Sequence, residues 1–147
     1  MQYLYTFLFF LALPFIFALL LWRSYREPAY RSRLRERLGF YDFHFEKSLW
    51  VHAVSVGEVI AAIPLIQALQ RQYPHLPMLV TTMTPTGAIR VKAALGDTVQ
   101  HAYLPYDLPY CMQRFLKAAN PKIAIMMETE LWPNLFVRLQ QRHVPIC

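Results

Sequence analysis

Charge is absent from the first 22 residues of this 147-residue chain. Cysteine is scarce: Cys111 and Cys147 stand alone, with no Cys-x-x-Cys spacing. That excludes a disulfide framework and fits a reduced, cytosolic setting. The five histidines (His44, His52, His75, His101 and His143) never pair with one another or with cysteine at metal-ligand spacing, so no metal site is expected. GxGxxG, Walker and GxSxG motifs are all missing, and no cofactor is read from the chain. After residue 40 there is no basic stripe interleaved with aromatics, and nucleic acid is not an expected partner.

What the start of the chain does contain is hydrophobic length. Residues 3–22 (YLYTFLFFLALPFIFALLLW) form about 20 mostly apolar positions, roughly a bilayer core. Six arginines follow within fifteen residues (Arg23, Arg26, Arg31, Arg33, Arg35, Arg37) against Glu27 and Glu36. Positive charge beside a span is retained on the cytoplasmic side. The expected layout is a transmembrane anchor over residues 1–22, a basic membrane-proximal connector over 23–48, and a cytoplasmic domain over 49–147. A signal peptide fits less well, because its basic residues precede the apolar run and a small-residue cleavage site ends it. A helix lying in the interface is the other alternative, since Pro14 and Thr6 interrupt a clean span and Tyr3, Tyr5 and Trp22 suit a headgroup belt. Of the net charge of +6, residues 23–37 supply +4, six arginines minus two glutamates. A basic patch this local points to anionic membrane lipid as partner.

Beyond residue 48 the pattern alternates. Strands are expected at 49–54, 78–83, 99–103 and 122–127, and another beginning at Val144. Helices are expected after Gly57, over 84–95 up to Gly96, over 108–119 up to Asn120-Pro121, and over 133–142. Pro64 is expected to kink the first of these or to begin a fresh helix. In the connector, 31–38 reads as a short helix ended by Gly39. The aromatics Phe40, Tyr41, Phe43 and Phe45 rest either on lipid or on the domain. Strands alternating with helices imply βαβ units, a parallel sheet and right-handed crossovers: an α/β, Rossmann-like fold. Because the chain stops where a strand is expected, the domain reads as incomplete.

In open α/β sheets, ligands bind beyond the carboxyl ends of strands. Three such ends carry chemistry. The first is Ser55-Val56-Gly57-Glu58, where Gly57 permits a sharp turn or close ligand approach. Glu58 there either takes a proton from a substrate hydroxyl or stabilises a helix N-terminus. The second is Thr84-Pro85-Thr86-Gly87 with Arg90 one turn on, either an anion site or simple helix capping. The third is Glu128-Thr129-Glu130, whose carboxylates either bind hydroxyls or cap the helix near Pro133. His52 reads as a satisfied core residue.

PAYRSRLRERLGFY (28–41), Ala53-Val54-Ser55-Val56-Gly57-Glu58, TTMTPTG (81–87), YLPYDLP (103–109) and METELWPN (127–134) occur in this order. Together with the apolar start they resemble the amino-terminal third of the 3-deoxy-D-manno-octulosonic acid (Kdo) transferase family. The resemblance covers nearly the whole chain; its one departure in the first motif is Ala53, where the family has serine. It implies a two-domain GT-B glycosyltransferase, inverting and metal-independent, that moves Kdo from CMP-Kdo to the lipid A precursor (lipid IVA) at the bacterial inner membrane, in lipopolysaccharide biosynthesis. It also implies that the amino-terminal domain holds the acceptor and that the donor site lies in a carboxy-terminal domain outside this chain. This chain alone is then expected to be inactive. By the same resemblance Glu58 is the catalytic base and Glu128, from METELWPN, a second catalytic residue, while Glu130 beside it falls to substrate binding. Ser55, Gly57, Thr84, Thr86, Gly87 and Arg90 fall to substrate binding. The alternative from a different class is a non-catalytic, membrane-anchored lipid-binding fragment.

Overall fold

The computed structural model describes residues 2–26, 33–128 and 132–147. The chain opens with α1 (Gln2–Arg26). A short α2 (Leu34–Arg37) leads into β1 (Ser48–His52), α3 (Val56–Gln72), β2 (Met78–Thr82) and α4 (Pro85–Leu95). β3 (Gln100–Tyr103), α5 (Pro109–Ala119), β4 (Pro121–Met126) and α6 (Pro133–Gln141) complete it. The strands and helices expected over 49–142 are all present, with ends shifted by no more than three residues, whereas the strand expected from Val144 is reduced to one isolated bridge at Ile146.

The four strands are parallel, in the order β3-β2-β1-β4. That is the Rossmann order, in which the chain reverses direction across the sheet between β1 and β4. Val144 does not itself pair. The next strand contact is the parallel bridge Ala124↔Ile146, on the free edge of β4. All five residues of both β1 and β2 are buried, as strands covered on two faces must be. Successive residues of β1 point to opposite faces. Leu49 and Val51 pack with Val59, Ala62, Ile66, Val91 and Leu95 of α3 and α4. Trp50 points the other way, into Met112, Phe115, Leu116, Leu135 and Leu139 of α5 and α6. Its ring meets Phe115 edge-on at 4.8 Å, and its indole N–H donates to Thr81 Oγ1 at 2.8 Å.

No fresh helix begins at Pro64; α3 runs from Val56 to Gln72 with the proline inside it. The proline cannot donate to the carbonyl of Ile60, four residues earlier. Both residues lie on the exposed face, where water can serve that carbonyl.

Over residues 33–47 the connector is not a free basic tether. Arg33 donates to His101 O at 2.6 Å and bonds Glu36 Oε1 at 2.5 Å, while Glu36 Oε2 accepts from Tyr103 N at 2.8 Å. These residues satisfy the edge of β3. Arg37 is buried. At least two of the arginines expected to face lipid therefore serve the fold instead. Of the aromatics, Tyr41, Phe43 and Phe45 pack on the domain, and Tyr41 Oη donates to Tyr103 O at 2.8 Å. Gly39 has φ +82°, and a Cβ on it would lie 2.7 Å from Cys111 O, so only glycine fits this turn.

His101 is held neutral. Arg33 Nη1 lies 2.8 Å from its Nδ1 and Thr82 Oγ1 lies 3.0 Å from its Nε2. Burial, with the Arg33 charge adding to it, pushes its pKa down from 6.5 to about 3. Between those values the unfolded chain binds a proton that the folded chain refuses, so stability falls as pH drops through that window. Thermal unfolding at pH 5 is expected below that at pH 7, and His101→Gln is expected to flatten the difference. An unchanged pH slope in the variant would remove His101 as its source.

Candidate functional site

The carboxyl ends of the strands meet around one residue, Val54. Its N–H donates to Glu58 Oε2 at 2.7 Å. Its carbonyl accepts from Met83 N at 3.2 Å and from Thr84 Oγ1 at 3.4 Å. One residue beyond β4, Met127 N donates to His52 O at 3.0 Å. The ends of β1, β2 and β4 are thereby tied into one edge, at the point where the sheet order reverses. His52 is buried in this edge, a core position, with Nδ1 2.8 Å from Thr81 Oγ1.

Glu58 sits in the first turn of α3 and closes a capping box with Ser55. Ser55 Oγ accepts from Glu58 N at 3.4 Å, while Glu58 Oε1 accepts from Ser55 N at 3.1 Å and from Ser55 Oγ at 2.7 Å. The capping alternative is therefore realised. It does not exhaust the carboxylate, since each oxygen can accept two bonds and Oε2 takes one, from Val54. Glu58 as a whole is half-buried and not sealed in the core. Gly57 makes no sharp turn. It is a helical residue of α3, and a Cβ on it would meet only Ser55 Oγ, at 3.9 Å. The space above Gly57 is open, which leaves close ligand approach as its use.

At the second end, Thr84 caps α4, accepting from Gly87 N at 3.1 Å, and Pro85 opens the helix. Gly87 is buried, and a Cβ would lie 3.0 Å from Thr84 Oγ1 and 3.3 Å from Thr82 side-chain atoms. Close packing of α4 on β2 explains this glycine, and its amide is already spent on the cap. Thr86 and Arg90 are exposed on the same turn and the next; Thr86 Oγ1 donates to Thr84 Oγ1 at 3.3 Å. At the third end, Glu128 is exposed beside the β1 terminus, while Glu130 lies outside the described residues. The structure thus brings Ser55, Glu58, Thr84, Thr86 and Gly87 into one bonded set. Glu128 lies on the same edge, and Arg90 lies at its rim.

Sequence reasoning missed Asp107. It is fully buried and caps α6 from a distance: Oδ2 accepts from Asn134 N at 3.0 Å and Oδ1 from Leu135 N at 2.9 Å, and its carbonyl accepts from Asn134 Nδ2 at 2.7 Å. Burial raises its pKa, and the two amide bonds pull it back. The available signal was an aspartate between prolines in YLPYDLP, opposite a helix with no capping side chain of its own at Trp132.

α1 lies against this edge. Within it, Leu4–Trp22 is long and apolar enough to cross a membrane, by length and composition. A stripe including Thr6, Leu13, Ile16, Phe17 and Leu20 is half-buried. Thr6 Oγ1 donates to Asn134 Oδ1 at 3.2 Å, and Phe17 meets the Tyr106 ring edge-on at 6.0 Å. The opposite stripe, with Phe7, Leu11 and Phe15, is exposed.

Residues 32–147 match the family described as 3-Deoxy-D-manno-octulosonic-acid transferase (kdotransferase). A 3-deoxy-D-manno-octulosonic acid transferase of Haemophilus influenzae is 48% identical over 147 residues, covering 98% of this chain and 34% of the relative. One of Bordetella pertussis is 42% identical over 104 residues, 67% of this chain and 24% of the relative. A protein of Arabidopsis thaliana described as a probable mitochondrial 3-deoxy-D-manno-octulosonic acid transferase is 36% identical over 135 residues, 90% of this chain and 30% of its own length. The chain spans about a third of the length of the curated relatives it matches.

Proposed function

The chain belongs to the Kdo transferase family, and from that premise we propose that it forms the acceptor side of an inverting glycosyltransferase. The donor is CMP-Kdo and the acceptor is the lipid A precursor, in lipopolysaccharide biosynthesis. Glu58 takes the proton from an acceptor hydroxyl; that oxygen attacks the anomeric carbon of Kdo, and the bond to CMP breaks with its electron pair leaving on CMP. Glu128, with Glu130, binds and orients acceptor hydroxyls, and Ser55 holds the Glu58 carboxylate in place. Open space over Gly57 admits the sugar. Thr84, Thr86 and Arg90 hold an acceptor phosphate on a turn that Gly87 keeps tight. The donor is held by residues outside the third of the relatives' length that this chain spans. The observation that carries the reading is the Val54 junction, which ties Glu58 and the Thr84 turn together at the reversal point of the sheet, where such folds bind ligands.

α1 is proposed to anchor this edge to the bacterial inner membrane, with the α/β part in the cytoplasm. The anchor raises the local concentration of a lipid acceptor at the site. The half-buried stripe of α1 favours a second arrangement, in which the helix lies along the membrane surface with its exposed apolar stripe in the lipid.

One experiment tests both points. A chimera is made in which residues 1–147 replace the matching part of the Haemophilus influenzae enzyme, with Gln2→Cys. Membranes carrying the chimera are expected to transfer Kdo to added lipid A precursor; absence of transfer, with the protein present and folded, would sink the reading. Protease is expected to reach the α/β part only from the cytoplasmic face. Labelling of the cysteine from the periplasm marks a crossing helix, and protection marks a helix lying in the surface.

A further inference from the structure

A cavity of about 240 Å³ separates α1 from the sheet edge, room for several waters at about 30 Å³ each. One wall is apolar, from Ile16, Leu19 and Leu20 of α1; the other carries Arg37, Thr84 and Tyr106. Arg37 is only 4% exposed. Its Nη2 donates to Met83 O at 3.0 Å, and its guanidinium lies 4.7 Å from the centre of the Tyr103 ring. Among the described residues no carboxylate pairs with it, because neighbouring Glu36 is engaged by Arg33 and Tyr103 N. Nε of Arg37 is buried without a partner, and so is the hydroxyl of Tyr106. A buried cation is ordinarily paired, because desolvating it alone is costly. Here a guanidinium with an unsatisfied Nε–H and, among the described residues, no carboxylate partner lines one cavity with an unsatisfied hydroxyl. The chemistry that completes them is an anion with several acceptor oxygens, which a guanidinium fork matches well. The apolar wall facing that anion continues to the exposed, lipid-suited stripe of α1.

We propose that Arg37, with the hydroxyl of Tyr106, binds the phosphate monoester of a membrane amphiphile in the cavity beneath α1. This rests on the acceptor reading above only for which amphiphile is bound; the anion chemistry stands apart from sugar transfer.

The test uses the full 147-residue chain, 15N-labelled, in uncharged maltoside micelles. The Arg37 Nε–H resonance is identified by its loss in Arg37→Met. On titration with dihexanoyl phosphatidic acid it is expected to move downfield and saturate, at least tenfold more tightly than with inorganic phosphate, and to stay still with dihexanoyl phosphatidylcholine. Tyr106→Phe is expected to weaken the phosphatidic acid response several-fold while leaving the fold intact. Arg37→Met is expected to unfold no earlier than the parent in lipid-free micelles, since it removes a buried charge that no carboxylate among the described residues pairs. A resonance that ignores phosphatidic acid would overturn the site, as would a Tyr106→Phe chain that binds normally. An equal response to inorganic phosphate would overturn the amphiphile, and an equal response to phosphatidylcholine the anion. A marked loss of stability in Arg37→Met would make the arginine structural. No outcome depends on Kdo transfer, so failure here leaves the transferase reading standing, and failure of the chimera leaves this site standing.

Discussion

Replacing Glu58 by glutamine in the chimera is expected to lower turnover by about 10²–10⁴-fold, the usual contribution of a positioned general base. Acceptor affinity should change little, because the amide keeps the size of the side chain. The geometry adds a second consequence. The carboxylate accepts three bonds, from Val54 N, Ser55 N and Ser55 Oγ. Glutamine has one oxygen to offer, and its NH₂ faces groups that donate. The capping box therefore weakens, at a cost of about 0.5–2 kcal/mol in stability. Steady-state kinetics and thermal unfolding on the same preparation separate the two roles. Loss of turnover in a protein that is still folded at the assay temperature supports the base. Near-normal turnover with a lowered unfolding temperature would reduce Glu58 to a helix cap.

Asp107→Ala is expected to be among the most damaging single changes in the chain. It strands the amides of Asn134 and Leu135 beneath a buried surface. Each unsatisfied buried group costs about 1–3 kcal/mol, so the pair costs roughly 2–6 kcal/mol, against typical domain stabilities of about 5–15 kcal/mol. α6 carries Leu135 and Leu139 into the core around Trp50, so loosening its start should also expose the face opposite α3 and α4. Asp107→Asn keeps one acceptor and should lose about half as much. Denaturant unfolding measures the cost, and hydrogen exchange across residues 133–147 locates it. A change in Asp107→Ala within about 0.5 kcal/mol of the parent, the range of ordinary surface substitutions, would show that the α6 amides find other partners.

The α/β class, the parallel sheet and the order of elements were legible in residues 49–142, because buried strands and amphipathic helices leave periodic marks that depend only on near neighbours. Thr84-Pro85, Gly96 and Asn120-Pro121 marked helix ends for the same local reason. The long apolar start was equally plain, since length and lack of charge need no tertiary context. Legible too were the two uses of Glu58, but not the fact that one carboxylate can serve a capping box and still offer a lone pair; that depends on where Val54 N lies. That no fresh helix begins at Pro64 was not legible, because the harm a proline does depends on whether the freed carbonyl meets water or core, and only packing decides that. Arg33 and Arg37 read as lipid-facing charge because nothing in a linear run of arginines reveals that β3, about 65 residues later, lacks partners along its edge. Asp107 escaped notice because its role is to cap a helix 26 residues further along the chain. Such long-range polar pairings carry no period and no spacing. They arise only when the fold brings a buried donor and a distant acceptor together, and for that reason the tertiary structure alone could place them.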